Sequence, residues 1–339
     1  MKKLQNSLYV TRQGAYIHKE RETIVIEHER QKLMQVPIHS VSGLFCFGNV
    51  LVSPALMGFC GEKGVNLAFF NEYGRFYGRL QGRKAGNVLL RRAQYHAGEK
   101  VSLEIARSVV AAKLVGSRNI LLRHQRNHGA TQSVARAAKH LTASIRLAKT
   151  VDNLDSLRGI EGDAAATYFS VFEELVNECQ REDFPFSGRN RRPPRDPVNA
   201  LLSFVYAILG QDVGAALSGV GLDPQVGFLH ADRPGRDSLA QDLLEEFRPW
   251  LADRLVLSLI NRRQLKASDF IAESSGAVRM SDDARKQLLV AYQEKKQQEV
   301  MHPFLKEKVP IGIIPHIQAM LLARHLRNDL ERYPPFVMR

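Results

Sequence analysis

The sequence changes its periodicity near residue 82, and this change constrains the fold more than any other feature. Before it, short segments rich in Val, Ile and Tyr alternate with Gly or charged turns, a pattern typical of β-strands. After it, apolar residues recur at helical spacing, as at Val109, Val110 and Leu114. The strands predicted from this pattern are 7–10, 15–18, 22–27, 32–37, 43–52, 64–70 and 73–80, with one helix over 53–62.

We therefore predict an α+β fold, in which a small β-rich domain is followed by a larger all-α domain. The β-rich domain covers residues 1–82, the linker 83–90 and the helical domain 91–339. A length of 339 residues agrees with two domains, each able to bury a core.

Positive charge is concentrated in one part of the chain. The whole sequence has a net charge of +13, yet residues 73–149 alone hold 16 Lys and Arg and two acids, which gives +14. No acid occurs from Ile105 to Lys149. Helix faces normally mix signs to form ion pairs, so this segment is predicted to bind phosphate, where basic groups release counterions. A basic surface without function remains the alternative.

A second basic segment, from Arg181 to Arg195, contains Pro, Gly and Ser and is predicted to be a loop between helices. We interpret it as a loop that contacts the substrate, with a charged linker as the alternative. The candidate DNA-binding residues of the two segments are Arg75, Arg79, Arg83, Lys84, Arg118, Arg123, Arg126, Arg191 and Arg192.

Cysteine content and hydropathy argue against several classes of protein. The three cysteines have no metal-type spacing, and an odd number does not suit a disulfide framework. The amino terminus lacks the apolar region of a signal peptide, and no run of 18 apolar residues occurs. We expect a soluble cytoplasmic protein that neither spans nor binds a membrane.

Three segments of the helical domain carry residues suited to chemistry. Glycines flank Glu161 where a helix is predicted to begin, His230 ends an apolar stretch, and Asp242 and Glu245 share a helix face. Carboxylates suit Mg²⁺ or Mn²⁺, and an imidazole shifts the preference toward Mn²⁺. The alternatives are a surface glutamate favoured by the helix dipole, a structural histidine and a solvated acidic face.

In combination, these segments resemble a known family, the CRISPR-associated integrase, which is the larger subunit of the spacer-acquisition complex. The resemblance covers most of the chain and is closest to subtype I-C members. The motifs that carry it are NEYGRFYG from Asn71, LRGIEGDAAATYF from Leu157, RRPPRDPVNALLSFVY from Arg191, GFLH from Gly227, SLAQDLLEEFRP from Ser238 and YPPF from Tyr333.

The resemblance implies a metal-dependent DNA endonuclease and integrase that uses Mg²⁺ or Mn²⁺. It would insert short double-stranded fragments into a CRISPR array by transesterification with a 3′-hydroxyl. Carried over by motif, the catalytic metal ligands are Glu161, His230 and Glu245. Asp242 matches an acidic position that assists them, and Asn199 and Tyr206 match a segment that positions substrate.

The same resemblance implies the partners. The β-rich domain would dimerise, and a small CRISPR-associated partner dimer would bridge two such homodimers. Double-stranded DNA is the substrate, and a nuclease-like accessory protein would assist. Two other functions remain open at this stage: a hydrolytic nuclease with the same metal site, and a DNA-binding scaffold without catalysis.

Overall fold

The computed structural model describes residues 6–72, 74, 76–80, 88–129 and 131–338. The chain divides into two compact units. The first comprises Met1–Gly86, Ser281–Val300 and Pro310–Ile313, and the second comprises Asn87–Met280, Met301–Val309 and Ile314–Arg339.

The first unit contains two four-stranded sheets. Its elements are β1 (Asn6–Val10), β2 (Ala15–Glu20), β3 (Thr23–His28), β4 (Gln31–Pro37), β5 (Val41–Phe47), β6 (Val50–Val52), α1 (Pro54–Lys63), β7 (Asn66–Phe70) and β8 (Phe76–Leu80). One sheet has the strand order β1-β5-β7-β8, and the other has the order β4-β3-β2-β6. The pairs β1–β5, β5–β7 and β2–β6 are parallel, whereas β2–β3, β3–β4 and β7–β8 are antiparallel.

Gly48 accounts for a difference from the predicted single strand over 43–52. Its backbone has φ +78°, a left-handed conformation that favours glycine, and a Cβ there would collide with the side chain of Gln13. The chain therefore turns at this point, and the apolar run becomes β5 and β6. Helix α1 begins as predicted, because the Ser53 hydroxyl accepts a hydrogen bond from the amide of Leu56 at 3.2 Å.

Helix α9 (Asp282–Gln297) belongs to the first unit, although the sequence analysis assigned this segment to the helical domain. Buried polar contacts attach it there. The Lys296 ammonium donates to the Ser7 hydroxyl of β1 at 3.2 Å, and the Arg285 guanidinium donates to the carbonyl of Glu72. Helical periodicity predicts the helix, but these long-range contacts decide which unit it joins.

The second unit is predominantly helical, so the predicted α+β fold class is confirmed. Its helices are α2 (Val88–Tyr95), α3 (Glu99–His128), α4 (Gln132–Thr150), α5 (Leu154–Ser170), α6 (Pro197–Val220), α7 (Ser238–Leu244), α8 (Arg254–Asn261) and α10 (Ile314–Leu326), with a π-helical segment at Arg248–Asp253. Helices α3, α4 and α5 pack on one another, and α6 packs on α7 and α10. Two short strands of this unit, β9 (Phe270–Ala272) and β10 (Val278–Met280), pair with each other. A second pair, β11 (Glu299–Met301) with β12 (Lys308–Pro310), contains the unit boundaries after Val300 and before Pro310.

Helix α6 is the one described helix that is long and apolar enough to cross a membrane. In the structure, 61% of its most apolar 18-residue window is buried within the protein. The helix begins at Pro197, where the Asp196 carboxylate accepts from the amide of Asn199 at 2.7 Å, and ends before Gly221 at φ +93°. Its apolar composition is explained by packing in the core of the second unit.

Candidate metal centre

Glu161 lies in the middle of α5, which differs from the predicted helix start. The helix begins earlier because Asn153 caps it, its side-chain oxygen accepting from the amide of Ser156 at 2.8 Å. The flanking Gly159 and Gly162 have open space where a Cβ would lie, so they do not mark close packing. They leave the helix surface beside the carboxylate open, and the Glu161 side chain is 25% exposed.

Asp242 fixes the orientation of His230. Its buried carboxylate accepts the backbone amides of Phe228, Leu229 and His230 at 2.6, 3.0 and 3.0 Å. The same carboxylate lies 2.6 Å from the imidazole Nδ1, which therefore carries the proton in this pair. This arrangement leaves Nε2 as the ring nitrogen able to coordinate a metal, and it makes Asp242 a support for the histidine.

Gly227 allows the turn before His230 to fit closely around the Asp242 carboxylate. A Cβ at Gly227 would lie 2.9 Å from Oδ2 of Asp242, 2.9 Å from Cβ of Ser238 and 3.0 Å from the carbonyl of His230. Side chains do not tolerate such approaches without displacement of their neighbours. The glycine therefore allows the backbone to wrap closely around Asp242.

Glu245 follows α7 directly and is 2% exposed. Its Oε1 lies 2.6 Å from Arg248 and its Oε2 lies 2.7 Å from the Lys113 ammonium, which also pairs with Glu161. Burial alone would raise the pKa of this carboxyl, but the two cations outweigh it and hold the pKa at about 2. Glu245 is therefore ionised at neutral pH.

One cavity of about 210 Å³ brings the predicted ligands together. Glu161, His230 and Glu245, from three separate segments of the chain, line it, and Tyr206 of α6 lines it too. Four cationic side chains, those of Lys113, Arg191, Arg236 and Arg248, line the same cavity beside the carboxylates.

Behind Tyr206 lies a buried carboxylate that sequence reasoning did not find. The hydroxyls of Tyr206 and Tyr168 donate to Asp253 at 2.6 and 3.1 Å. Burial raises the pKa of Asp253 to about 6, although both hydrogen bonds act to lower it. Burial also raises the pKa of both tyrosines well above 10. The ring of Tyr206 is flanked by the guanidinium groups of Arg189 and Arg248, 5.3 and 5.0 Å from its centroid.

Asn199 lies apart from Tyr206, although both residues were predicted to position substrate. It is fully buried at the start of α6. Its side-chain oxygen accepts from Arg189 at 2.5 Å and from the amide of Asn190 at 3.1 Å, while its nitrogen donates to the carbonyl of Gly188 at 2.8 Å. Asn199 thus stabilises the conformation of the arginine-rich loop through these hydrogen bonds.

The predicted DNA-binding residues fall at several places. Arg191 lines the cavity, and Arg191 and Arg192 line an adjoining open groove over residues 185–196. Arg123 and Arg126 are exposed on α3, whereas Arg118 is partly buried. Arg79 lies on β8 of the first unit, and Arg75, Arg83 and Lys84 lie outside the described residues.

Comparison with known proteins now decides the family. The sequence model of the family described as CRISPR associated protein Cas1 matches residues 8–294. The chain belongs to the Cas1 family. A relative from Rhodospirillum rubrum, named CRISPR-associated endonuclease Cas1 2, is 50% identical over 343 residues, covering 99% of each chain. The family inferred from the motifs is therefore confirmed, whereas the subtype stays a prediction.

Solved structures agree with the Cas1 fold. A casposase bound to integration product superposes with a TM-score of 0.83 at 22% identity, covering 97% of this chain and 93% of the casposase. A chain of a Cas6-RT-Cas1–Cas2 complex gives a TM-score of 0.82 at 21% identity, covering all of this chain and 36% of the larger one. At these identities the match concerns the fold.

The donors of this Cas1 site suit a divalent cation in their chemistry. Within the described ranges, no three Asp, Glu, His or Cys side chains are grouped closely enough to hold a metal ion as they stand. The surroundings of these donors are nevertheless typical of metal ligands. The imidazole of His230 is oriented by a buried carboxylate, and it lines the same cavity as the carboxylates of Glu161 and Glu245. Two carboxylates with one imidazole fit Mg²⁺ or Mn²⁺.

Lys113 is a site residue that sequence reasoning missed. It was counted only as one of the 16 basic residues of 73–149, but the structure buries it between two glutamates. Its apolar neighbours in the stretch VVAAKLV are the signal that could have revealed it, because a lysine flanked by core residues needs a buried partner.

Proposed function

We propose that this Cas1 chain is a metal-dependent DNA endonuclease and integrase that inserts short double-stranded fragments into a CRISPR array. The observation that carries the proposal is the single cavity that Glu161, His230 and Glu245 line together with four basic side chains. The carboxylates and the imidazole suit a cation, and the guanidinium groups suit the phosphates of DNA.

The reaction proposed is transesterification. The 3′-hydroxyl oxygen of the incoming fragment attacks a phosphorus of the array, forming one P–O bond as another breaks, and the leaving 3′-oxygen takes up a proton. One ester replaces another, so the reaction requires no nucleotide cofactor. A divalent cation, when bound, polarises the phosphoryl oxygen and favours the deprotonated form of the attacking hydroxyl.

The protein side chains supply position and charge for this reaction. Glu161, Glu245 and Nε2 of His230 would hold the cation, with the histidine kept in place by Asp242. Arg191 and Arg236 line the same cavity and would bind phosphates of the DNA. Asn199 keeps the loop of Arg191 in shape, and Tyr206 forms part of the wall against which the substrate rests.

Arginines outside the cavity would extend the contact with the DNA backbone. Arg192 lies in the adjoining groove, and Arg123 and Arg126 are exposed on the acid-free part of α3. Phosphate contacts position a duplex without reading its sequence. We therefore propose that this surface holds fragments of any sequence, while the first unit forms the homodimer. The cytoplasm is the compartment we expect for this activity.

The proposed assembly follows the family. A small Cas2-type dimer would bridge two Cas1 homodimers, and a nuclease-like accessory protein would trim the incoming ends. The name of the Cas6-RT-Cas1–Cas2 complex places a Cas2 protein beside a Cas1 fold, which supports this part of the proposal.

The test combines the protein and its small partner with a fragment bearing 3′-hydroxyl ends, a supercoiled array plasmid and Mn²⁺ or Mg²⁺. Joined products are expected, and a fragment with 3′-dideoxy ends should give none. Plasmid that is only nicked or degraded would indicate a hydrolytic nuclease instead. DNA binding without either product would indicate a scaffold, and full activity of His230→Ala would refute the metal site.

A further inference from the structure

Lys113 occupies the centre of the candidate metal site. It lies on α3 with only 9% of the residue exposed, and its ammonium pairs with Glu161 of α5 and with Glu245 after α7. A lysine is rarely buried unless it is paired, and here both partners are proposed metal ligands. The two carboxylates that pair with the ammonium are thus the same two that would bind the metal.

The charges of the two glutamates are offset without a metal. Glu161 and Glu245 contribute two negative charges, while their ion-pair partners Lys113 and Arg248 contribute two positive charges. Neither glutamate therefore needs a metal to offset its charge. Adding a divalent cation between them would place three cationic groups around two carboxylates, and like charges at such distances repel strongly in a poorly hydrated site.

From this arrangement we infer that Lys113 is a resident cation that holds the two glutamates together before the metal binds and is displaced from them when it binds. This inference rests on the proposed function, because it takes Glu161 and Glu245 as ligands. The four-carbon stem of lysine allows the ammonium to move while α3 stays in place. Lys113 is thus a positioning residue that competes with the metal.

Two effects of removing the lysine follow. Without the ammonium, the glutamates repel each other, so the metal-free protein becomes less stable. The metal, however, no longer has to displace a competitor, so its dissociation constant falls. A residue with a merely structural role would lower stability without tightening metal binding, which makes affinity the decisive measurement.

The experiment measures Mn²⁺ binding by titration calorimetry on the full chain, with melting temperatures recorded with and without Mn²⁺. Lys113→Met and Lys113→Gln should bind Mn²⁺ roughly tenfold or more tightly than the wild type, and should melt lower without metal. Lys100→Met is the matched control, because Lys100 is exposed on the same helix. Unchanged or weaker Mn²⁺ binding by the Lys113 variants would overturn the inference.

A measurement on the wild type covers the case in which neither variant folds. Amine-selective labelling read by mass spectrometry should modify Lys113 faster when Mg²⁺ is added, while Lys100 is unaffected. An unchanged rate at Lys113 would contradict displacement. Glu245→Gln separates the two proposals. If the wild type binds Mn²⁺ no better than this variant, the proposed metal-dependent function fails. If Glu245→Gln weakens binding but removal of Lys113 does not tighten it, only the present inference fails.

Discussion

The imidazole Nδ1 of His230 lies 2.6 Å from Oδ1 of Asp242, and the same carboxylate accepts the backbone amide of His230 at 3.0 Å. Backbone and side chain of the histidine are thus attached to one buried anchor. Amides of the two preceding residues donate to the same carboxylate, so a movement of the loop that displaces the histidine would break several of these bonds. The orientation of the imidazole is therefore fixed through both its side chain and its backbone.

This anchor predicts the effect of Asp242→Asn. The amide nitrogen of asparagine is a donor, so it cannot accept the bonds now made to one carboxylate oxygen, and backbone amides are left unsatisfied. We expect a loss of 10- to 100-fold in Mn²⁺ affinity, of the size seen when the group supporting a metal-bound histidine is removed. The cost in the free energy of unfolding should be roughly 1–3 kcal/mol.

Titration calorimetry and chemical denaturation measure these two effects separately. Asp183→Asn is a suitable control, since Asp183 is exposed in the same unit of the chain. Mn²⁺ affinity at the wild-type level in Asp242→Asn would show that the carboxylate does not orient the histidine toward a metal.

Gly227→Ala should disturb the same anchor from its other side. The added methyl group would lie 2.9 Å from Oδ2 of Asp242, in a place where the backbone also approaches closely. We expect DNA joining to fall at least about tenfold and stability to fall by about 1–3 kcal/mol, as for overpacking of a buried site. Gly219→Ala serves as the control because its Cβ would meet open space on an exposed part of α6. Equal activity of the two variants would contradict the proposed fit.

The sequence predicted the secondary structure of the first unit closely, because its strands are short, apolar and bounded by turn residues. It also identified the family, since several weak motifs occur together in the correct order. The division into units was harder to predict. Helix α9 has an ordinary amphipathic pattern, and only contacts such as Lys296 with Ser7 attach it to the strands.

The site was predicted only in part, again because contacts between distant parts of the chain determine it. Motifs revealed Glu161, His230 and Glu245, but they did not reveal which charges surround them. Lys113 is 48 residues before Glu161, and Asp253 is 47 residues after Tyr206. Each pair meets only after several helices have packed, so periodicity and composition cannot place these partners. The charge count included Lys113 only as one of the basic residues of 73–149.

Asp253 should make stability depend on pH. Burial raises its pKa from 3.8 to about 6, so between these values the folded protein binds a proton that the unfolded chain has released. This group therefore destabilises the protein as pH rises from about 4 to about 6. Asp253→Asn removes the effect and should gain roughly 3 kcal/mol relative to the wild type between pH 3.5 and pH 7. Denaturant titrations across this range measure the gain, and a pH-independent difference would contradict it.

The acid-free part of α3 should determine the salt dependence of DNA binding. Arg123 and Arg126 are exposed, and each phosphate contact contributes about 0.9 to the slope of log K against log salt concentration. The double variant with glutamine at both positions should reduce the slope by up to about 1.8 for every duplex sequence tested, as measured by fluorescence anisotropy between 50 and 200 mM salt. Glutamine at Arg21 and Arg30, which are exposed turn residues of the β-rich unit, should leave the slope unchanged. Equal slopes for all three proteins would exclude α3 from the DNA surface, whereas a loss confined to one sequence would indicate base contacts instead of phosphate contacts.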